Sequence, residues 1–436
     1  QGDYNPNYTD VQTYITFDPD TTGPWSFNFL GNYARNKYNY VPMTRETDVG
    51  NINEALRLTV YFEGQEVTQF QTFFGAFSTA YTTDVSRLQF IVSAFRTDES
   101  ETFDILGQYF LDELERDLGS DEFGEVLTNR GVGSFLEHAR NDLDATVLNF
   151  SHKGFKDFDY ADHYLEWGVK VQQEIINDRL SEWTLIDSAG YNTPHPQDSI
   201  GYIDGDAQPD HQVILRDVIK SNEALSTTRI TGFVQDTHDW ENENGDRFTY
   251  NVGLRGHLWT FNNEFVGGPR AHFSWQPKWF YTPKTVLEGE DSIRRRDVVF
   301  KFASGMYYQP AFYREMRDIS GGLNQDIKAQ RSIHVVAGVD YIFQKWDRPF
   351  KFIGEIYYKD LNQLIPYEVE NVRLRYYATN NAKGYATGVD LMLNGEFIEG
   401  IQSWLRASFL KTAEDLSDDF YYEYFNDEGK LIVPGF

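Results

Sequence analysis

Alternation of apolar and polar residues with a period of two is the feature that most constrains this chain. In one run the two sets separate cleanly, with Phe248, Tyr250, Val252, Leu254 and Leu258 set against Thr249, Asn251, Arg255 and His257. Successive side chains of a strand point to opposite faces of a sheet, so the run predicts a strand with one apolar and one polar face. The period does not fit a helix.

The alternation recurs along the chain, in runs that begin near Trp25, Leu88, Leu165, Ile333 and Phe350. Each run is about as long as one tilted crossing of a bilayer by a strand, and counting the runs predicts about fourteen strands. In a membrane barrel the apolar face meets lipid and the polar face lines the lumen. A soluble β-sandwich or propeller also has alternating strands, so the pattern alone leaves that alternative open.

Composition favours the membrane barrel. Aromatic residues make up 16% of the 436 residues, and the rings of Tyr and Trp suit the two interfaces of a membrane, where barrels carry aromatic girdles. Mean hydropathy is nevertheless only -0.54, as expected when the lumen and loops are polar. No stretch approaches the roughly 18 consecutive apolar residues of a spanning helix. The sequence therefore predicts an all-β fold, an antiparallel transmembrane β-barrel with long extracellular loops.

Charge and cysteine content exclude several classes of function. The formal net charge is -28, from 39 Lys plus Arg against 67 Asp plus Glu, and this balance repels phosphate backbones. We therefore expect no nucleic-acid partner, and we interpret the basic cluster Arg294–Arg296, which acidic residues flank, as a solvated connection. The absence of cysteine rules out disulfides, thiol nucleophiles and cysteine metal sites.

Motifs for catalysis are missing. The chain has no G-x-S-x-G elbow, P-loop or H-E-x-x-H helix, so it is not predicted to be an enzyme, and no cofactor is expected. The best local metal candidate, Asp204-Gly205-Asp206 with Asp210 and His211, resembles part of a calcium loop but lacks the closing Glu. No catalytic, cofactor or metal residue is predicted on this basis, and the ligand-binding residues stay unknown.

The spacing of polar segments predicts which connections lie on which side of the membrane. Short turns are expected at 344–349 and 397–402, and long polar segments at 174–226, 311–328 and 360–385. Barrels have tight periplasmic turns and long extracellular loops, so 311–328 and 360–385 are predicted to be extracellular, and the turns at 344–349 and 397–402 periplasmic. Residues 107–140 interrupt the alternation and have leucines at helical spacing, which predicts a folded loop or short helices.

Alternation also assigns side chains to faces. The residues expected to face lipid are Val252, Leu254, Val335, Val339, Phe352 and Ile356. Those expected to face the lumen are Asn251, Arg255, His334, Asp340, Lys351 and Glu355. No linker divides the chain, so residues 1–436 are predicted to be one barrel fragment. With neither a signal peptide nor a closing strand visible, we expect a further domain before Gln1 and more strands after Phe436.

Several strand junctions carry a resemblance to a known family. They are Tyr307–Glu315, Lys328–His334, Arg348–Lys359, Leu364–Tyr367, Asn380–Asp390, and Asn262–Glu264 with Gly268–Arg270. Together they resemble the barrel of a TonB-dependent outer-membrane receptor, in the form found in Bacteroidota. The resemblance covers nearly the whole chain and is specific between 228 and 412.

The resemblance implies a family barrel of 22 strands, plugged by an N-terminal domain, that imports a scarce solute such as a glycan, a peptide or a metal chelate. It implies outer-membrane lipid, a TonB-type energy-coupling protein of the inner membrane and a surface lipoprotein or other envelope subunit as partners. Two alternatives stay open. One is a non-transporting outer-membrane barrel that is a structural or assembly subunit of an envelope complex, and the other is a soluble β-protein that binds or cleaves glycans.

Overall fold

The computed structural model describes residues 2–20, 23–50, 54–158, 162–189, 214–278, 298–346, 348–370, 373–417 and 419–420. Its strands are β1 (Gly2–Phe17), β2 (Trp25–Pro42), β3 (Arg45–Gly50), β4 (Ala55–Thr82), β5 (Ser86–Leu114), β6 (Val126–Phe158), β7 (His163–Ala189), β8 (Ile214–Glu241), β9 (Arg247–Trp259), β10 (Glu264–Gln276), β11 (Val298–Gln309), β12 (Gln330–Lys345), β13 (Arg348–Leu364), β14 (Tyr367–Glu370), β15 (Arg373–Tyr376), β16 (Ala382–Ile398) and β17 (Ile401–Leu416). A single helical turn, α1 (Tyr313–Met316), lies between β11 and β12.

Fourteen of these strands form one continuous antiparallel path in the order β1-β2-β4-β5-β6-β7-β8-β9-β10-β11-β12-β13-β16-β17. Strand β3 pairs with β4 beside this path, and β14 and β15 form a separate hairpin. The prediction of an all-β antiparallel fold with about fourteen strands is confirmed. In the described ranges no helix is long and apolar enough to span a bilayer.

Residues 107–140 are strand except for the connection 115–125, so the prediction of a folded loop or short helices holds only for that connection, where the Glu115 N–H donates to the Glu125 carbonyl at 2.9 Å. Strand β5 continues to Leu114 and β6 begins at Val126, and Leu111 pairs with Leu58 on one side and Gly131 on the other. Pairing with both neighbours outweighs the helical spacing of the leucines. The polar segment 174–226 is likewise shortened, because β7 extends to Ala189 and β8 begins at Ile214.

The connections fall on two edges of the sheet. One, the short-turn edge, has the connections 18–24, 83–85, 159–162, 242–246, 346–347 and 399–400. The opposite, long-loop edge has 43–54, 115–125, 190–213, 310–329 and 365–381, of which the first contains β3 and the last the β14–β15 hairpin. Because consecutive strands of the path run in opposite directions, their connections alternate between the two edges. The predicted extracellular segments therefore lie on one edge and both predicted periplasmic turns on the other. The connection 277–297 is a long one on the short-turn edge, and 260–263 is a short one on the long-loop edge.

Strand register sorts the side chains into an outer and an inner face. Residues directly opposite in an antiparallel pair share a face, and Val335 lies opposite Tyr358 while Ala337 lies opposite Ile356. This outer face is exposed and apolar, since Val335 is 41% and Ile356 57% exposed. The inner face carries Asp340, which bonds to Lys301 at 2.8 Å and lies 3.2 Å from Lys351. The two predicted sets thus lie on separate faces.

Aromatic side chains follow the outer face along the short-turn edge. Trp25 packs on Phe27 and Tyr81, Trp240 on Phe248, and Trp275 on Phe300, with ring centroids 5.0 to 6.2 Å apart. The row continues through Tyr341, Phe343, Phe350 and Phe397 on the later strands. Such a belt on an exposed face is typical of a membrane interface.

Candidate functional site

The connection 310–329, here called the inner loop, is folded against the inner face of the sheet. It begins with α1, whose first turn is capped by Glu315, because the Phe312 N–H donates to the Glu315 carboxylate at 2.8 Å. Its tip is a tight turn in which the Asp318 carboxylate accepts from the N–H groups of Ser320 and Gly322 at 2.8 and 3.0 Å. Burial acts to raise the pKa of Asp318, but the hydrogen bonds from Ser320, Gly322 and Gly321 outweigh it and lower that pKa.

Carboxylates on the wall hold the inner loop in place. Asp178 of β7 is buried. Its carboxylate accepts a hydrogen bond from the Tyr313 hydroxyl at 2.8 Å and forms an ion pair with Arg317 at 2.5 Å. Arg314 reaches Glu99 of β5 at 3.0 Å. Burial and the neighbouring Asp178 carboxylate raise the pKa of Tyr313 far above its usual value, so its hydroxyl stays a donor at alkaline pH values at which a free tyrosine ionises.

These contacts require the sheet to curve. Arg314 bonds to Glu99 on β5, although the loop leaves β11, which is six places away in the sheet. In a flat sheet six strand spacings would amount to about 29 Å. A single cavity of about 620 Å³ is lined both by Gln172 of β7 and by Leu361 of β13, which are likewise six places apart in the sheet. The sheet therefore curves around the inner loop, and the inner face is its concave side.

An apolar cluster lies between the inner loop and the wall. Trp259 of β9 and Met316 and Ile327 of the loop are fully buried. They pack with Ala145, Ile176, Leu225, Ala311, Ile365 and Ala378. At the loop tip Gly321 has φ +92°, and a Cβ there would lie 2.7 Å from the Ser221 hydroxyl, so both the turn and the close approach to β8 require glycine. Burial of this cluster fixes the loop against the sheet.

The end of the inner loop joins segments that are far apart in the sequence. Asn262 donates to the Ile327 carbonyl at 2.6 Å, and the Ala329 N–H donates to Glu264 at 2.9 Å. Asn380 exchanges two bonds with the backbone of Lys328, at 2.7 and 2.9 Å. The segments 262–264, 328–334 and 380–390, which carry the family resemblance, therefore meet at one place.

Below the inner loop a row of cations crosses the inner face at mid-depth. This cationic row comprises Lys170, Arg229, Arg255, Arg270 and Lys359. Its members stand on β7, β8, β9, β10 and β13 and share the inner face by register. Arg229 is paired, because it lies 3.1 Å from Glu174, donates to the Ala311 carbonyl at 2.8 Å and stacks 4.3 Å from the Trp259 ring.

Arg255 and Arg270 differ from Arg229, since neither makes an ion pair with any acid in the described part of the chain. Arg255 stands opposite Gly268 and Arg270 opposite Gly253, which makes them diagonal neighbours. The backbone positions of diagonal neighbours are about 7–8 Å apart, and two like charges that kept this separation would repel by about 2 kcal/mol at an effective dielectric constant of about 20.

An aromatic stack limits the movement of Arg270. Its guanidinium lies 4.4 Å from the centroid of the Tyr307 ring, which in turn stacks on His334 at 4.4 Å. Gly305 leaves room for this arrangement, because a Cβ there would lie 3.0 Å from the Tyr307 ring. The stack holds one cation of the row in a defined place.

Two adjoining cavities meet at Arg255 and Arg270. One, of about 620 Å³, lies directly below the inner loop and is lined by Gln309, Pro310 and Gln330 at its upper end. The other, of about 770 Å³, extends toward Lys170 and Glu166. Both volumes are in the range of small-ligand sites. The cavity of about 620 Å³ is called the row cavity below.

The sequence-based site predictions have mixed outcomes. The metal candidate Asp204–Asp206 with Asp210 and His211, and the basic cluster Arg294–Arg296, lie outside the described residues. Arg255 and His334 lie on the inner face as predicted. Asp178, Arg270 and Arg317 were not singled out, because their importance depends on a loop and a wall that are distant in sequence.

No protein-family model and no curated protein matches the chain. Solved structures that align with it include the outer membrane transporter YddB from Escherichia coli, with a TM-score of 0.40, 10% identity, and coverage of 88% of this chain and 55% of that one. The RagAB peptide transporter aligns with a TM-score of 0.42 and 9% identity, over 96% of this chain and 52% of that one. The siderophore receptor PiuA from Acinetobacter baumannii aligns with a TM-score of 0.41 and 10% identity, over 98% of this chain and 64% of that one. The chain thus spans about half to two thirds of their length. At this identity the likeness concerns the fold alone.

Proposed function

We propose that the chain is the barrel portion of a TonB-dependent receptor of the bacterial outer membrane, of the type found in Bacteroidota, which imports a scarce nutrient. The observation that carries the proposal is the two-faced curved sheet, with an exposed apolar outer face and a polar inner face over which a loop is folded. Lipid accounts for the outer face and a solute pathway for the inner one. No catalytic role is proposed.

The parts of the molecule have distinct roles in this proposal. The long-loop edge faces the exterior and captures the solute. The inner loop narrows the lumen above the row cavity, so a solute must pass the loop or displace it. Its partners would be outer-membrane lipid, an inner-membrane energy-coupling protein of the TonB type, and a surface lipoprotein or other envelope subunit.

Uptake by cells tests the proposal. We expect deletion of the gene to abolish accumulation of at least one labelled member of a panel of ferric chelates, oligosaccharides and peptides. Deletion of the energy-coupling protein should abolish accumulation of the same compound. Unchanged accumulation across the panel, together with a defect in envelope integrity, would instead favour a non-transporting structural subunit.

Orientation is tested separately by labelling single cysteines on intact cells with a maleimide that does not cross the membrane. Gln325 is exposed on the inner loop, and Glu399 is exposed in the turn between β16 and β17. Gln325→Cys should be labelled from outside and Glu399→Cys only after the cells are broken. The reverse pattern would place the long-loop edge in the periplasm and remove the proposed capture surface.

A further inference from the structure

The two unpaired arginines stand out because the chain has so many acids. The sequence has 67 Asp plus Glu for 39 Lys plus Arg, yet Arg255 and Arg270 face the row cavity without an acidic partner in the described ranges. Nearby acids are already engaged, since Glu174 lies 3.1 Å from Arg229 and Glu264 accepts from the Ala329 N–H. The row cavity therefore has a local positive charge inside an acidic protein.

Hydrogen-bonding groups without partners lie at the same place. Arg270 Nε, His257 Nε2 and Ser332 Oγ are buried and have no hydrogen-bond partner in the described part of the molecule, and all three residues line the row cavity. Buried polar groups are almost always satisfied, by protein, water or ligand. Two donors of different types, a guanidinium and a hydroxyl, are complementary to oxygen atoms that carry negative charge.

We propose that the row cavity binds a small solute with carboxylate or phosphate groups, through Arg255 and Arg270. This inference rests on the proposed function, and it narrows the imported nutrient to an anionic one. An oxyanion placed between the two guanidinium groups relieves their repulsion and gives each a charge-assisted hydrogen bond. The Tyr307 ring already restrains Arg270, so less conformational entropy is lost when the anion binds.

The size of the site favours a free solute over the acidic side chains of a polypeptide. Gln309 of β11 and Pro310 of the inner loop line the upper end of the row cavity. A volume of about 620 Å³ is of the size that one small molecule fills. Acidic polypeptide is therefore treated as the competing occupant in the experiment.

Calorimetric titration of the purified protein in detergent tests the inference without any transport assay. The probes are citrate and tripolyphosphate, with sucrose as the neutral control. We expect saturable binding of at least one anion and no binding of sucrose. Arg255→Gln and Arg270→Gln should each weaken anion binding about tenfold or more, as expected for loss of one charge-assisted hydrogen bond. Arg255→Lys, which keeps the charge, should lose less.

The matched control is Arg87→Gln, which removes the same charge from an exposed position on the inner face of β5, away from the cavity. It should leave anion binding unchanged. Equal weakening by all three Arg→Gln variants, or no binding of either anion, would overturn the inference and leave the uptake proposal standing. Binding of a hexaglutamate peptide ten times tighter than citrate would overturn the assignment to a small solute. Anion binding without any cellular uptake would contradict the proposed function alone.

Discussion

Arginine stabilises the inner loop in one layer of the inner face and remains unpaired in another. At the long-loop edge the wall supplies carboxylates, Glu99 and Asp178, and the inner loop supplies the arginines that meet them. At mid-depth the wall itself supplies Arg255 and Arg270, and no acid in the described ranges meets them. The first layer is completed within the chain. The second has the charge pattern of a site that is completed by a ligand.

Removing the central carboxylate should have the largest effect on this contrast. Asp178→Asn weakens the bond from Tyr313 and leaves Arg317 without its counter-charge, so we expect the docked loop to lose about 2–3 kcal/mol. Trypsin should then cut after Arg317 and Lys328 at least tenfold faster. Asp98→Asn is the control, because Asp98 pairs with Arg96 at an exposed site and the loss there should stay below about 1 kcal/mol. Equal trypsin sensitivity of the two variants would show that the pair does not hold the loop.

Substitution of one arginine in each layer should lower the free energy of unfolding in the first layer and not in the second. Arg317→Gln removes a paired charge and should lower the free energy of unfolding by about 1–2 kcal/mol. Arg255→Gln removes an unpaired charge beside Arg270, and it should leave the free energy of unfolding unchanged or raise it by up to about 1 kcal/mol. The free energy of unfolding of both variants is measured by urea unfolding in detergent micelles. If Arg255→Gln lowers the free energy of unfolding as much as Arg317→Gln does, Arg255 has a stabilising partner within the protein and is not an unpaired charge.

Alkaline pH should have the smallest of these effects, and it should act on the first layer, where Tyr313 donates to Asp178. Burial raises the pKa of Tyr313, so the folded state holds this proton more tightly than the unfolded state does. The contribution of Tyr313 to the stability of the docked loop is complete below the ordinary tyrosine pKa of about 10, and it is lost as pH rises above that value. Loop cleavage by trypsin should therefore accelerate above about pH 10. Tyr313→Phe should remove this acceleration, and its persistence in that variant would assign the pH effect to another group.

The strands and their faces could be predicted from sequence, because they follow from a period of two within single segments. Val252 and Leu254 are exposed on the outer face, and Arg255 lies on the inner face, as the alternation indicates. The turn between Lys345 and Arg348 was also predictable, since it interrupts two clear runs. Such features depend on neighbours in the chain.

The inner loop's docking could not be predicted in this way. Tyr313 and Asp178 are 135 positions apart, and nothing local to either residue specifies the contact. The extension of β5 to Leu114 was missed for the same reason, because pairing with β4 and β6 decides it against the local leucine spacing. Long-range pairing is the information that one sequence does not display.

The most direct test of the central claim, a sheet whose outer face lies in lipid, uses two adjacent valines. Val335 is exposed on the outer face, and Val336 lies on the inner face opposite Ala303 and Tyr357. Folding into lipid vesicles is measured for Val335→Arg and Val336→Arg. An arginine at a lipid-facing position near the bilayer centre costs about 2–4 kcal/mol, so Val335→Arg should fold with that penalty, while Val336→Arg should lose no more than about 1 kcal/mol. Equal folding of the two variants, or a larger penalty for Val336→Arg, would contradict the account.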